Sequence, residues 1–427
     1  MKKLLLLFIL FQASLNAQSL YFPPLSGNAW ETLSPESLNW CPDSLQALVD
    51  YVGNNNSKAF IILKDGKIVT ENYYNGFAAT DNWYWASAGK TVTAFLVGMA
   101  QQEGLLDINE SSSIYQGAGW TDCTPQQEQA ITVLNQLDMT SGLLTDGVEL
   151  DCTEDTCLQY FTEPGTRWFY HNAPYTRLDK VIEGASGISF NQFYNTRLKN
   201  RIGMNGLYLP SGYNNVNFST PRSFARFGLL LLNRGVWAND TLMEDEEYFE
   251  AMINTSQDLN KSYGYLTWLN GKESYQLPGV TINFPGSLMP DAPADLYAAI
   301  GKDGQYNMVI PSLNMVVIRM GEEAGGITGL VPTIMGNEIM RRIGEMDCNV
   351  TSNNHSSINW LPQFLVTEHT IEVQDEQCDR IELIDLQGRI ISKTNGNTIS
   401  TTDIKSGIYL LSMWSNKSVS RQKIFIK

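Results

Sequence analysis

The sequence predicts an α/β (α+β) chain. One antiparallel sheet is flanked by helices and joined to a helical subdomain, and a small C-terminal β-sandwich follows. Three observations predict it. Two β-rich runs flank Asp65-Gly66 near the N-terminus, and three more lie between Leu296 and Met320. Segments of helical period fill the interval. After a polar stretch from Asn349 to Asn359, the pattern becomes short alternating strands punctuated by Gln387-Gly388, Asn395-Gly396 and Ser406-Gly407. Strands at both ends with helices between imply one sheet assembled from distant segments.

The chain opens with Met1-Lys2-Lys3, an unbroken apolar run from Leu4 to Phe11, and small or polar residues through Ala17. That is the shape of a secretory signal peptide over residues 1–17. Its apolar run is too short to span a bilayer, and no other segment is long enough, so the mature protein is expected to be soluble, without a membrane span. Ser44 to Val52 reads as a short amphipathic helix. Ala59–Leu63 and Lys67–Tyr73 read as a hairpin about Asp65-Gly66. A buried helix is expected from Ser87 to Glu103, closed by Gly104, with further helical runs at Ser189–Arg201 and Pro221–Leu232. Tyr297–Ile300, Tyr306–Ile310 and Met315–Met320 read as strands, followed by a helix from about Leu330 to Ile343. The expected domains are residues 18–347, a linker at 348–362, and a β-sandwich at 363–427.

The 427 residues are 43% hydrophobic and 17% charged, a globular composition. A net charge of −16 excludes nucleic-acid binding, since no basic stripe is present to neutralise phosphates. Six cysteines in an exported chain permit disulfides. Cys152 and Cys157 are close enough to staple one loop, and the other pairings stay open. The three histidines, His171, His355 and His369, lack ligand spacing, so no metal site is expected.

Ser87-Ala88-Gly89-Lys90 places a hydroxyl and an amine at positions i and i+3, on one face of a helix. A serine hydroxyl is a poor nucleophile until a base takes its proton. Lys90 can be that base if desolvation or a nearby cation keeps it neutral. The helix N-terminus favours negative charge developing on the serine oxygen. The spacing also occurs at Ser420 to Lys423, and an ordinary helix cap would read the same way. Trp83-Tyr84-Trp85-Ala86 before Ser87, and the apolar helix after it, single out the first copy because they bury it. Tyr170-His171-Asn172 can supply a phenolic proton relay and a substrate-gripping amide on one loop. His171 between them is expected to face solvent. Tyr73-Tyr74-Asn75 and Tyr213-Asn214-Asn215 match the spacing, but only Tyr170 follows Pro164-Gly165-Thr166-Arg167-Trp168-Phe169. Lys302-Asp303-Gly304-Gln305 lies between two strands near the end of the domain. A cation there would bind a substrate carboxylate and keep Lys90 neutral, and Gly304 would admit close approach to the backbone. A plain Asp-Gly turn with an exposed lysine is the competing reading.

Taken in order, these elements resemble the serine β-lactamase and penicillin-binding-protein family, especially its class C and esterase-like branch. The resemblance runs through SAGKTVTAFLVGMAQQEGLLDIN from Ser87, ITVLNQLDMTSGL from Ile131, Pro164 to Asn172, RFGLLLLNRGVW from Arg226, and Tyr263-Gly264-Tyr265 with Trp268, over roughly residues 40 to 345. It implies a β-lactamase/transpeptidase-like fold and an acyl-enzyme mechanism without metal or organic cofactor. Ser87 would attack a carbonyl, Lys90 and Tyr170 would share the general-base role, and Asn172 would hold the substrate amide or the Lys90 ammonium. The backbone N–H groups of Ser87 and Gln305 would form the oxyanion hole. The third motif departs from the family pattern: Asp303 replaces its usual Thr and Gln305 its small residue. The Gly301-to-Gln305 form is similar to the branch holding carboxylesterases and 6-aminohexanoate-dimer hydrolases. The resemblance therefore points to a small-molecule ester or amide substrate. A true β-lactamase or D-Ala-D-Ala peptidase is the first alternative, and a non-catalytic ligand-binding member of the fold the second.

The tail, with IELIDLQGRII from Ile381, Gly407 to Leu411 and a basic end, resembles a type IX secretion sorting domain of Bacteroidetes-type bacteria. It implies the type IX machinery as a partner, and a secreted or outer-surface location.

Overall fold

The computed structural model describes residues 20–324, 333–348 and 364–426, apart from 368, 376–377, 386–389 and 416–417. The expected signal peptide and most of the expected linker lie outside the described residues. The chain divides into two compact units, the first closing at Cys348. Cys348 is bonded to Cys41 within that unit.

Helix α1 (Pro42–Asn54) buries Leu48 and Val52, one turn apart. Strands β1 (Ser57–Lys64) and β2 (Lys67–Tyr73) form a hairpin. Asp65 and Gly66 both have positive φ, 53° and 81°, as a two-residue turn matched to strand twist requires. Helix α2 (Gly89–Gln102) follows a short 3-10 turn at Ala86–Ala88, and α3 (Pro221–Leu232) begins where proline is tolerated. The sheet is completed by β3 (Trp268–Leu269), β4 (Tyr297–Gly301), β5 (Gln305–Ile310) and β6 (Met315–Gly321). Helix α4 (Thr333–Gly344) follows.

The six strands form one antiparallel sheet in the order β2-β1-β6-β5-β4-β3. The N-terminal hairpin therefore pairs with strands from the far end of the domain. Strands β5 and β6 are buried at every position because helices cover both faces. Successive residues show this. Asn307 turns to α3 and donates to the Phe224 carbonyl at 2.8 Å, while Tyr306 packs near Gly336 of α4. α2 is buried from Gly89 through Ala100. A helical region holding Leu178–Ser186 and Phe190–Arg197 lies between α2 and α3 in sequence.

The second unit has a three-stranded sheet (Phe364–Val366, Thr370–Val373, Thr398–Ser400) and a four-stranded sheet (Arg380–Ile384, Ile390–Thr394, Gly407–Ser415, Ser418–Ile426). Ile371, Val373, Ile381, Leu383, Leu411 and Met413 form its separate core. Among the described residues, no helix is long and apolar enough to cross a membrane.

Candidate active site

The approach to Ser87 is irregular. Trp85 is fully buried and tied down by its backbone N–H to the Asn217 carbonyl and its indole N–H to Ser219. Ala86 then takes a left-handed φ of 47°, which costs energy for a residue with a Cβ. The kink turns the chain into the 3-10 turn that carries Ser87, half-buried, ahead of α2.

One turn on, Lys90 is only 3% exposed, with Nζ 3.3 Å from Ser87 Oγ. Burial pushes the Lys90 amine down to about 7, opposed in part by the charge of Asp151. Its nitrogen also stands 4.0 Å from the centre of the Tyr175 ring and 5.1 Å from that of Tyr170. Sequence alone did not single out Tyr175; its signal was an aromatic on the helix after Tyr170.

Tyr170 is presented by a loop pinned from behind. The Phe169 N–H donates to the Met139 carbonyl at 3.0 Å, and the Gly165 N–H to the Thr140 carbonyl at 2.8 Å. The segment beginning at Ile131 is thus the brace of the Tyr170 loop. The Tyr170 ring is stacked on Trp268, 5.8 Å between centres, with Trp168 and Tyr263 completing an aromatic wall. Burial raises the Tyr170 phenol well above its ordinary range. Ser87 is close enough to counter that slightly, although no hydrogen bond of ordinary geometry satisfies the hydroxyl. Ser87, Lys90 and Tyr170 are therefore brought together.

Asn172 begins the helix Asn172–Thr176, and its amide N–H donates to Asp151 Oδ1 at 2.6 Å. Its side-chain oxygen is buried without a partner. Asp151, which sequence reasoning missed, adjoins the Cys152–Cys157 disulfide, the bridge that the spacing had suggested. His171 is 3% exposed, not solvent-facing as expected. Both of its ring nitrogens are unpartnered, and burial and Arg167 push it down to about 4. Among the described residues, no group of His, Cys, Asp or Glu could hold a metal ion.

The third motif is placed differently from the first two. Lys302 is exposed and makes no ion pair among the described residues. Asp303, at φ 64°, accepts a hydrogen bond from the Tyr84 hydroxyl on its carboxylate. Gly304 packs against Tyr306 and Arg319. The fully buried Gln305 side chain closes a ring with Gly321, donating at 2.7 Å and accepting at 3.0 Å. Arg319, also fully buried, donates to the carbonyls of Asp303, Gly304, Asn55 and Glu322 and to Ser57 Oγ, which fixes the turn. The residue that reaches Ser87 is Gly301: a Cβ there would lie 3.1 Å from Ser87 N and 2.4 Å from the Trp85 carbonyl oxygen. Its signal was the first glycine of the Gly301-to-Gln305 pattern.

The fold agrees with the comparisons to known proteins. The Beta-lactamase family pattern matches residues 48–327, and the secretion system C-terminal sorting domain pattern matches residues 366–427. No curated protein matches the chain. Among solved structures, a candidate beta-lactamase from Bacteroides dorei is 16% identical with a TM-score of 0.57, covering 72% of this chain and 99% of that one. A candidate 6-aminohexanoate-dimer hydrolase from Bacillus anthracis is 18% identical with a TM-score of 0.58, covering 75% and 87%. A family VIII carboxylesterase is 15% identical with a TM-score of 0.54, covering 72% and 98%. At these identities the neighbours establish the fold. The chain belongs to the beta-lactamase family, whose members are generally serine hydrolases, and ends in a secretion system C-terminal sorting domain.

Proposed function

We propose that the protein is an exported serine hydrolase that cleaves an ester or amide bond through an acyl-enzyme on Ser87. The observation that carries this reading is the Ser87 hydroxyl 3.3 Å from a buried lysine amine whose proton affinity is down to about 7. A neutral Lys90 takes the Ser87 proton as Oγ bonds to the substrate carbonyl carbon. The Ser87 N–H, beside Gly301, is one oxyanion donor, and the turn 301–305 supplies the other. Tyr170 stays protonated because burial raises its phenol. It relays a proton to the leaving alcohol or amine as the tetrahedral adduct collapses. Water then attacks the acyl carbon as its proton passes to Lys90 through the same relay; the adduct collapses as that proton moves on to Ser87 Oγ, which releases the acid and leaves Lys90 neutral again.

Lys302 lies in solvent, which favours substrates that do not depend on a carboxylate anchor. Proteins of similar fold include a family VIII carboxylesterase and a candidate 6-aminohexanoate-dimer hydrolase, which supports the esterase or amidase reading, and a candidate beta-lactamase, which keeps a β-lactamase as the alternative. The sorting domain supports export by the type IX route.

The test is hydrolysis of p-nitrophenyl acetate and butyrate by the mature full chain. Ser87→Ala is expected to abolish turnover, and Tyr170→Phe to lower kcat about a hundredfold. An unchanged rate in Ser87→Ala overturns the assignment.

A further inference from the structure

The loop before Cys152 places a carboxylate beside the catalytic centre. Asp151 Oδ1 accepts the Asn172 side-chain N–H at 2.6 Å. A carboxylate can only accept, so this bond fixes which end of the amide faces Asp151. The Asn172 oxygen is thereby committed to the other side, where it is buried and unpartnered. The loop is anchored on both sides of Asp151: the Ala173 N–H donates to the Leu150 carbonyl at 2.9 Å, and Cys152 is bonded to Cys157. Asp151 makes no ion pair among the described residues. Its half-buried position keeps water from fully screening its charge.

We infer that Asp151 is a positioning residue of the Ser87–Lys90 centre: it fixes the orientation of the Asn172 amide, and the Cys152–Cys157 bridge holds it in place to do so. This rests on the serine-hydrolase reading. Lys90 is packed by Ser87, Tyr170 and Tyr175, and the neighbouring anion bearing on it is Asp151. That charge also bears on Tyr170 and on His171. An anion favours the lysine ammonium, which is the inactive form. Asp151 therefore raises the pH at which Lys90 becomes a free base, and holds Asn172 ready at the same time. Removing the charge alone and removing the hydrogen bond as well have separable effects.

The experiment is the rate of Ser87 modification by a fluorophosphonate probe from pH 5 to 9. It uses the mature full chain and needs no knowledge of the substrate. Asp151→Asn keeps an acceptor and the side-chain volume. It is expected to move the acid limb to lower pH by about half a unit or more, with the plateau rate retained. Asp151→Ala is expected to move the limb equally and also lower the plateau severalfold. Asp151→Glu is expected to restore the limb, and Cys152→Ser with Cys157→Ser to behave like Asp151→Ala. Wild-type profiles in both Asp151→Asn and Asp151→Ala overturn the inference while leaving the hydrolase intact. Absence of labelling in the wild type at every pH overturns the hydrolase reading and this inference with it.

Discussion

Gly301 lies against the backbone of Ser87, at the distance where a single added carbon would meet Ser87 N at 3.1 Å and the Trp85 carbonyl oxygen at 2.4 Å. Both are backbone atoms, held by the buried Trp85 ring and its hydrogen bonds, so neither can move aside cheaply. The end of β4 and the turn that carries Ser87 are therefore one rigid unit.

Gly301→Ala is expected to push the strand off the nucleophile and open the oxyanion site. Turnover of p-nitrophenyl esters should fall about a hundredfold, the scale of losing one oxyanion donor. Far-UV circular dichroism should stay unchanged. A variant with native rate would place the oxyanion donors elsewhere.

Lys90 ties activity to pH and opposes stability. With its folded value at about 7, the free base needed for attack accumulates as pH rises through 7, so kcat/KM should climb along that limb and be lost below it. The sign for stability is the reverse of a stabilising pair. The unfolded lysine holds its proton up to its ordinary value, so the folding penalty grows as pH falls from there to about 7 and is full below. Lys90→Met should abolish turnover and raise Tm at pH 6 by a few degrees, the shift made by about 1–2 kcal/mol.

Cys41 and Cys348 close a loop with a sequence separation of 307. Their joint replacement by serine should lower stability by about 2–4 kcal/mol, through the larger conformational freedom of the unfolded chain. Denaturant titration would read the loss. Cys123 and Cys378 are free, so alkylation of the denatured, unreduced protein should modify two thiols.

The two units have separate cores. Deleting residues 349–427 should leave esterase turnover within about twofold, because no residue of Ser87, Lys90, Tyr170 or Asn172 comes from the second unit. The same deletion is expected to stop export, read by fractionating the producing cells.

The elements legible in sequence were those whose cause is local. The hairpin followed from Asp65-Gly66, α3 from a proline start and an apolar stripe, and the Ser87–Lys90 pair from helical spacing in an apolar setting. The brace of the Tyr170 loop was visible as a motif, though its role was not. Motif matching weighted Gly304 and Gln305, whereas the contact with Ser87 belongs to Gly301.

By itself the sequence determined the sheet-forming segments, the family and the Ser87–Lys90 pair, because periodicity and i, i+3 spacing are short-range properties. Only the tertiary structure decided that Asp151 holds Asn172, that Asp303 turns to Tyr84, that His171 is buried, and that Cys41 pairs with Cys348. Each of these joins segments separated along the chain or depends on which side of a loop faces the core, and burial and backbone approach exist only once the sheet has closed.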